Sequence, residues 1–145
     1  MSDYPVSVEI PVRFRDLDGI GHVNNAVFST YLEAARIHYW ERLHPDFRGG
    51  DLRQVTMILA RAEIDFRDQI AYGETVRVSA RCPRIGTKSF DLEYRIESAD
   101  GARLFAEART VQVAYDYGER RTVPVSDDLR RRIEALEGRS LASSP

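Results

Sequence analysis

Four strand-like segments in succession constrain the fold of this chain more than any other feature. Each alternates apolar and polar side chains or is rich in β-branched and aromatic residues, which is typical of strands. The segments are residues 54–66, 75–85, 89–98 and 104–115, and the turn sequences between them lie at 71–74, 86–88 and 99–101. Because short connections join antiparallel neighbours, the pattern predicts an antiparallel sheet.

One further strand and one long helix precede these segments. Residues 6–14 alternate apolar and polar positions, which predicts a half-buried strand. From Asn24 to Leu43 apolar residues recur every three or four positions, with Asn24 as a suitable N-cap. A shorter polar helix is predicted from Ser126. The long apolar helix must be covered by the sheet, so the predicted architecture is α+β.

Length and composition limit the possible classes of protein. With 145 residues, 43% of them hydrophobic, the chain suits one compact domain, assigned to residues 1–139 with a disordered tail at 140–145. The net charge of −2 gives no sign of a nucleic-acid-binding surface. Cys82 is the single cysteine and no leader-like start is present, so we expect a cytoplasmic protein without an internal disulfide. No apolar run approaches the roughly 20 residues of a membrane span.

The residues best suited to chemistry are concentrated in the approach to the long helix, at 15–25. Asp18 is followed by two glycines, His22 and the pair Asn24 and Asn25. The first N–H groups of a helix have no partner within the helix, and the helix dipole is positive there. A carboxylate beside such amides supplies a nucleophile or general base together with an oxyanion site, the two parts that acyl transfer requires.

Structural roles for the same residues stay open. Asp18 also suits a helix cap or a turn, and His22 suits a structural hydrogen bond between loop and helix. Asp16 is expected to orient the loop or to pair with an arginine. Asp16, Asp18 and His22 are all metal-ligand types, but no second cluster completes a coordination sphere. The run from Asp16 to Gly19 is also similar to the phosphatase loop of the haloacid dehalogenase class, which requires a parallel sheet that this pattern does not predict.

The order Asp-x-Asp-x-x-Gly-His-Val-Asn-Asn, with Tyr31, Glu33 and Ala35-Arg36 after it, resembles a known family. The family that it resembles is the hotdog-fold acyl-thioesterases of the 4-hydroxybenzoyl-CoA thioesterase type. Together with the turn at 85–90, the match extends over roughly residues 6–117. The resemblance implies a five-stranded antiparallel sheet wrapped round a long central helix, with a short C-terminal helix. It also implies a homodimer or homotetramer whose active sites lie between subunits.

The resemblance further implies catalytic roles at the start of the helix. Asp18 takes the place of the catalytic carboxylate, acting either as nucleophile or as general base. Asn25 supplies the backbone N–H that polarises the thioester carbonyl, and His22 assists. No metal or redox cofactor is implied.

Substrate binding is implied at the turn between the second and third of the four segments. Lys88 and Ser89 take the place of residues that approach the nucleotide phosphates of coenzyme A, and Arg84 adds positive charge; a turn lysine without that role is the alternative. The function that follows is hydrolysis of an acyl-CoA to free acid and thiol. Alternatives are an acyl carrier protein thioester as substrate, or an acyl-thioester-binding or dehydratase-type member of the same fold.

Overall fold

An antiparallel sheet wraps the long helix. The computed structural model describes residues 3–47 and 56–141. Its elements in chain order are β1 (Val6–Pro11), a 3-10 turn (Phe14–Asp16), α1 (Asn25–Leu43), β2 (Met57–Phe66), β3 (Thr75–Ile85), β4 (Ser89–Ser98), β5 (Leu104–Asp116), β6 (Arg121–Thr122) and α2 (Asp127–Glu137). The strand order is β1-β3-β4-β5-β2, with β6 paired to β5, and all pairs are antiparallel. The predicted α+β architecture is confirmed.

The strands follow the sequence predictions with three differences. β3 and β4 have the predicted bounds, and β5 extends one residue further. β1 ends at Pro11 rather than at residue 14, because proline cannot donate to a ladder and the chain then enters the 3-10 turn. The two-residue β6 makes the sheet six-stranded rather than five-stranded. The predicted start of β2 at Gln54 lies outside the described residues.

α1 buries one face against the sheet, as its periodicity predicts. Asn24 caps the helix, since its side-chain oxygen accepts the N–H of Ala26 at 3.0 Å. The helix packs against β1 and β3. Its buried residues are Phe28, Tyr31, Leu32, Ala35, Tyr39, Trp40 and Leu43. Within the described ranges, no helix combines the length and apolar character needed to cross a bilayer.

α2 closes the end of the core. Ser126 caps it by accepting the N–H of Leu129 at 3.1 Å, and Leu129 and Ile133 are buried. Leu141 falls inside the predicted tail, yet it is buried and its N–H donates to Glu134 Oε2 at 2.7 Å. Residues 142–145 lie outside the described residues, so disorder there stays a prediction.

Among the described residues, nothing pairs with one long edge of the sheet. β2 is the last strand in the order and pairs on one side only, with β5. Leu59 and Phe66 on this strand are both 48% exposed. A ten-residue edge strand with exposed apolar side chains is a template for pairing with another chain.

Candidate active site

A cavity of about 410 Å³ lies where the loop before α1 meets the end of β2. Asp18, His22 and Asn25, the residues predicted to be catalytic, all line it. Phe28 and Phe66 form an apolar side, with ring centroids 5.0 Å apart and an edge-to-face arrangement. The fold therefore brings a carboxylate, an imidazole and a helix N-terminus to one cavity with an aromatic wall.

One carboxylate oxygen of Asp18 accepts hydrogen bonds within the loop, and the other accepts none from the described residues. Oδ1 accepts the N–H groups of Ile20 at 2.9 Å and His22 at 3.4 Å, which closes a tight turn. Gly21, with φ of 88°, supplies the left-handed residue that this turn requires. No hydrogen bond from the described residues reaches Oδ2. Asp18 thus has the turn-stabilising role that was its structural alternative and still keeps an oxygen for a ligand.

The start of α1 leaves one N–H group without an acceptor. Asn24 donates its N–H to the carbonyl of Asp16 at 2.9 Å, while its own carbonyl and side chain accept the N–H groups of Val27 and Ala26. The N–H of Asn25 has no acceptor among the described residues, and Asn25 lines the cavity. An unpaired N–H at a helix N-terminus is a ready hydrogen-bond donor to an oxygen that gains negative charge.

Asp16 is a structural carboxylate, as the sequence predicts. It is 2% exposed, and its side chain accepts hydrogen bonds from Tyr31 Oη at 2.9 Å, Arg13 N at 2.9 Å and Arg13 Nη2 at 2.9 Å. Burial alone would raise the pKa of the Asp16 carboxyl, but the hydrogen bonds from Arg13 and Tyr31 outweigh it and hold the pKa below its usual value. Asp16 therefore anchors the loop that carries Asp18.

His22 is fixed by its backbone rather than by its ring. Its carbonyl accepts the N–H of Asp18 at 2.8 Å, and the neighbouring Val23 donates its N–H to the carbonyl of Ile70 at 2.9 Å. The buried Nδ1 atom has no hydrogen-bond partner, and the ring makes no hydrogen bond to the described residues. An unpaired buried ring nitrogen is uncommon in a folded protein, and it leaves the ring of His22 without an anchor of its own.

The far wall of the cavity includes residues that the sequence reasoning missed. Arg67, Asp68 and Gln69 lie just beyond the end of β2. The Asp68 carboxylate accepts the N–H of Gln69 and a hydrogen bond from Arg103, and these lower the pKa of Asp68. Nothing in the local sequence distinguishes this stretch from an ordinary turn, because its role arises only when β2 meets the loop before α1.

Comparison with known proteins identifies the family. The model of the thioesterase-like superfamily matches residues 12–133. The chain belongs to this superfamily. A thioesterase from Thermus thermophilus, whose crystal structure holds coenzyme A and zinc, is similar, with 40% identity, 97% of this chain and 100% of that chain covered, and a TM-score of 0.86.

Two further relatives show how widely the fold is shared among thioesterases. The long-chain acyl-CoA thioesterase FadM of Escherichia coli is 23% identical over 90% of this chain and 98% of its own. The 1,4-dihydroxy-2-naphthoyl-CoA thioesterase Slr0204 of Synechocystis has the same fold, with a TM-score of 0.77 at 24% identity, covering 88% of this chain and 94% of its own. The structural likenesses show the hotdog thioesterase fold, and the superfamily match together with the 40%-identical thioesterase supports thioester hydrolysis by this chain.

The residues predicted to bind the nucleotide do not reach the cavity of their own chain. Ser89 pairs with Val113 near one end of the sheet, whereas the cavity lies at the other end, where Phe66 pairs with Ala106. Seven residues of strand separate these ends, a span of about 23 Å. Within a single chain of this thioesterase, the predicted nucleotide site and the predicted catalytic residues are therefore apart.

Arg84 is engaged by a carboxylate on the face of the sheet. Its Nη1 lies 3.7 Å from Asp91 Oδ1, and Arg109 contacts the other oxygen of Asp91 at 2.6 Å. Lys88 and Ser89 lie at the turn between β3 and β4, where Lys88 is exposed. In the part of the chain that the structure describes, no group of three or more His, Cys, Asp and Glu side chains is arranged to hold a metal ion.

Cys82 is not a nucleophile candidate in this thioesterase. The thiol is buried, and burial raises the pKa of Cys82 to about 12. A thiol with such a pKa is almost wholly protonated near neutral pH, and the thiolate is the reactive form. The carboxylate of Asp18 is the better candidate.

Replacing Asp16 by Ala is expected to lower the free energy of unfolding by about 2–4 kcal/mol, because the Tyr31 hydroxyl and the Arg13 N–H lose a buried acceptor. Since folding lowers the pKa of Asp16, its contribution to stability is present above the pKa of the unfolded chain. That contribution is lost as the pH falls through the lower, folded pKa. Urea unfolding of the wild-type protein and of Asp16→Ala, at pH 7 and at acid pH, measures this. The difference between their free energies of unfolding should become smaller in acid, and an unchanged difference would contradict the structural role of Asp16.

Proposed function

We propose that this thioesterase hydrolyses an acyl-CoA to the free acid and coenzyme A at the cavity beside Asp18, with no metal or redox cofactor. One observation carries the proposal: the unengaged oxygen of Asp18 and the unpaired N–H of Asn25 belong to residues that line the same cavity. A carboxylate and an oxyanion donor on opposite sides of a carbonyl are the elements that thioester hydrolysis requires.

In the proposed mechanism the thioester carbonyl oxygen accepts the N–H of Asn25, which stabilises the negative charge that develops on it. Asp18 then acts by one of two routes. As nucleophile it attacks the carbonyl carbon, the C–S bond breaks with release of the thiolate, and water hydrolyses the resulting anhydride. As general base it takes a proton from a water molecule that attacks the same carbon; the C–S bond then breaks, and the leaving thiolate takes up the proton that Asp18 holds. His22, which also lines the cavity, assists proton transfer in either route.

The names of relatives support coenzyme A as the carrier. FadM is named for long-chain acyl-CoA substrates, and the structure from Thermus thermophilus contains coenzyme A. An acyl carrier protein thioester is the alternative substrate. An acyl-thioester-binding protein or a dehydratase-type enzyme would use the same fold, but a carboxylate with a free oxygen beside an unpaired N–H favours hydrolysis.

A second subunit would bring the nucleotide-binding residues to the cavity. If two chains pair their open β2 edges about a two-fold axis, the strands run antiparallel. The Met57 end of one β2 then lies beside the Phe66 end of the other. In this arrangement the partner's Lys88 and the partner's Ser89 come to the side of Asp18. We therefore propose that the protein is a homodimer or a homotetramer, and we propose a cytoplasmic location on the ground of its single cysteine.

The function is tested by a hydrolysis screen over short-chain, long-chain and aromatic acyl-CoAs. The release of free thiol is the signal that is measured. We expect turnover with at least one class. The aromatic pair Phe28 and Phe66 makes the apolar side of the cavity, so the acyl group is expected there. Tight binding of acyl-CoAs without thiol release would favour a binding protein. Hydrolysis confined to acyl carrier protein thioesters would show that the substrate is carried by that protein and not by coenzyme A.

Replacing Lys88 by Ala is expected to raise KM for acyl-CoA more than it lowers kcat, because contacts with the nucleotide phosphates are shared by the ground and transition states. An acyl-pantetheine substrate, which lacks the nucleotide, serves as the control and should not be affected. Equal effects on the two substrates would make Lys88 a structural turn residue.

A further inference from the structure

The side chain of Arg103, in the turn just before β5, forms hydrogen bonds with the cavity wall made by residues 67–69. Its Nη2 and Nε donate to Asp68 Oδ2 at 3.1 and 3.3 Å, and Nη2 also donates to the carbonyl of Gln69 at 3.2 Å. The guanidinium rests over the ring of Phe105, 4.8 Å from its centroid. Two consecutive wall residues are thus bound through a carboxylate and a backbone carbonyl.

The third nitrogen of the same guanidinium leads toward the catalytic loop. Nη1 of Arg103 donates to Glu74 Oε1 at 2.9 Å, and Glu74 Oε2 accepts the N–H of Ala71 at 2.7 Å. Ala71 forms an isolated bridge with His22, and the adjacent Ile70 carbonyl accepts the N–H of Val23. A continuous series of hydrogen bonds therefore runs from Arg103 to the loop that carries Asp18 and His22.

The geometry points to Arg103 as a positioning residue that fixes the distance between the wall at Asp68 and Gln69 and the catalytic loop at Asp18. It does not line the cavity itself, so it acts through these segments. Lysine cannot replace it fully, because an ammonium is a compact point charge and the three acceptors here match the planar fork of a guanidinium. This inference rests on the proposed thioesterase site.

The functional consequence follows from how sensitive catalysis is to geometry. A displacement of about 1 Å in groups remote from the chemistry can reduce turnover by about 10²-fold. The carbonyl of Phe105 also anchors the wall, since it accepts the N–H groups of Arg67 and Asp68, but it accepts no hydrogen bond from Gln69 or Glu74. Loss of Arg103 removes the hydrogen bonds to the Gln69 carbonyl and to Glu74 Oε1 together, which loosens the wall relative to the catalytic loop while the sheet stays intact.

The experiment compares Arg103→Met with Arg132→Met. Methionine keeps an apolar stem over Phe105 but removes all five donors. Arg132 is a matched control: it is 41% exposed against 48% for Arg103, and it too binds a carboxylate, Asp128, and a backbone carbonyl, that of Leu43, at a place remote from the cavity. We expect Arg103→Met to lower kcat about tenfold or more with KM changed less than about threefold, and Arg132→Met to leave both near wild type.

Arg103→Lys should recover part of the lost kcat, and the melting temperatures of the variants should stay close together. A kcat for Arg103→Met within about twofold of wild type, or a fall equal to that of Arg132→Met, overturns the positioning role alone. If Arg103→Met does not fold, Arg103→Lys decides by the same kcat criterion. Absence of turnover in the wild-type protein overturns the proposed function, and the positioning role with it.

Discussion

Asp18→Asn is expected to lower kcat by about 10²–10⁴-fold, the range typical of losing a general acid–base group. The amide oxygen of Asn can still accept the N–H groups of Ile20 and His22, so the turn is preserved. What is lost is the negative charge on the oxygen that faces no protein donor among the described residues. Single-turnover measurement with an acyl-CoA that the wild-type protein hydrolyses should show that the substrate still binds and that thiol release is slowed by this factor.

Asp16→Asn is the control variant, because it distinguishes a loss of catalysis from a loss of stability. Asp16 lies two residues away and is buried, yet it accepts hydrogen bonds from Tyr31 and Arg13 rather than lining the cavity. We expect this variant to lose stability and to keep most of its kcat once it is folded. Near-wild-type turnover by Asp18→Asn would remove Asp18 from the chemistry, whatever Asp16→Asn does.

The elements of the fold were predictable where burial imposes a period. α1 buries one face, so its apolar residues recur with the helical period and both its cap and its end at Leu43 follow from the sequence. β3 and β4 lie between short turns, which fixed their bounds. β6 escaped prediction because two residues, Arg121 and Thr122, are too few to show alternation.

The side of the cavity that we propose to be catalytic was predictable and the opposite wall was not. Asp18, His22 and Asn25 lie within eight residues of each other, so one stretch of sequence contains both the acid and the helix start. The wall at Asp68 comes from the end of β2, and the arginine that holds it is Arg103, 35 residues further along. Contacts of that kind depend on strand register and leave no local pattern in the sequence.

The proposed partition of the site between subunits leads to the second large effect, which concerns assembly. We expect the active species to contain at least two chains, since the open edge of β2 and its exposed Leu59 and Phe66 otherwise remain in water. Light scattering at micromolar concentration measures the mass. An active species with the mass of one chain would eliminate the shared-site arrangement.

Subunit complementation tests the arrangement itself. In a dimer of one Asp18→Asn chain and one Lys88→Ala chain, the shared-site model gives one site with both Asp18 and the partner's Lys88 intact, and one site with neither. Random assembly makes about half of all dimers mixed, so about a quarter of all sites should regain the wild-type KM. If Asp18 and Lys88 of the same chain served one site, every site in the mixed dimer would carry one of the two substitutions. Co-expressed and refolded mixtures that show no component with wild-type KM would therefore place Lys88 outside the partner's site.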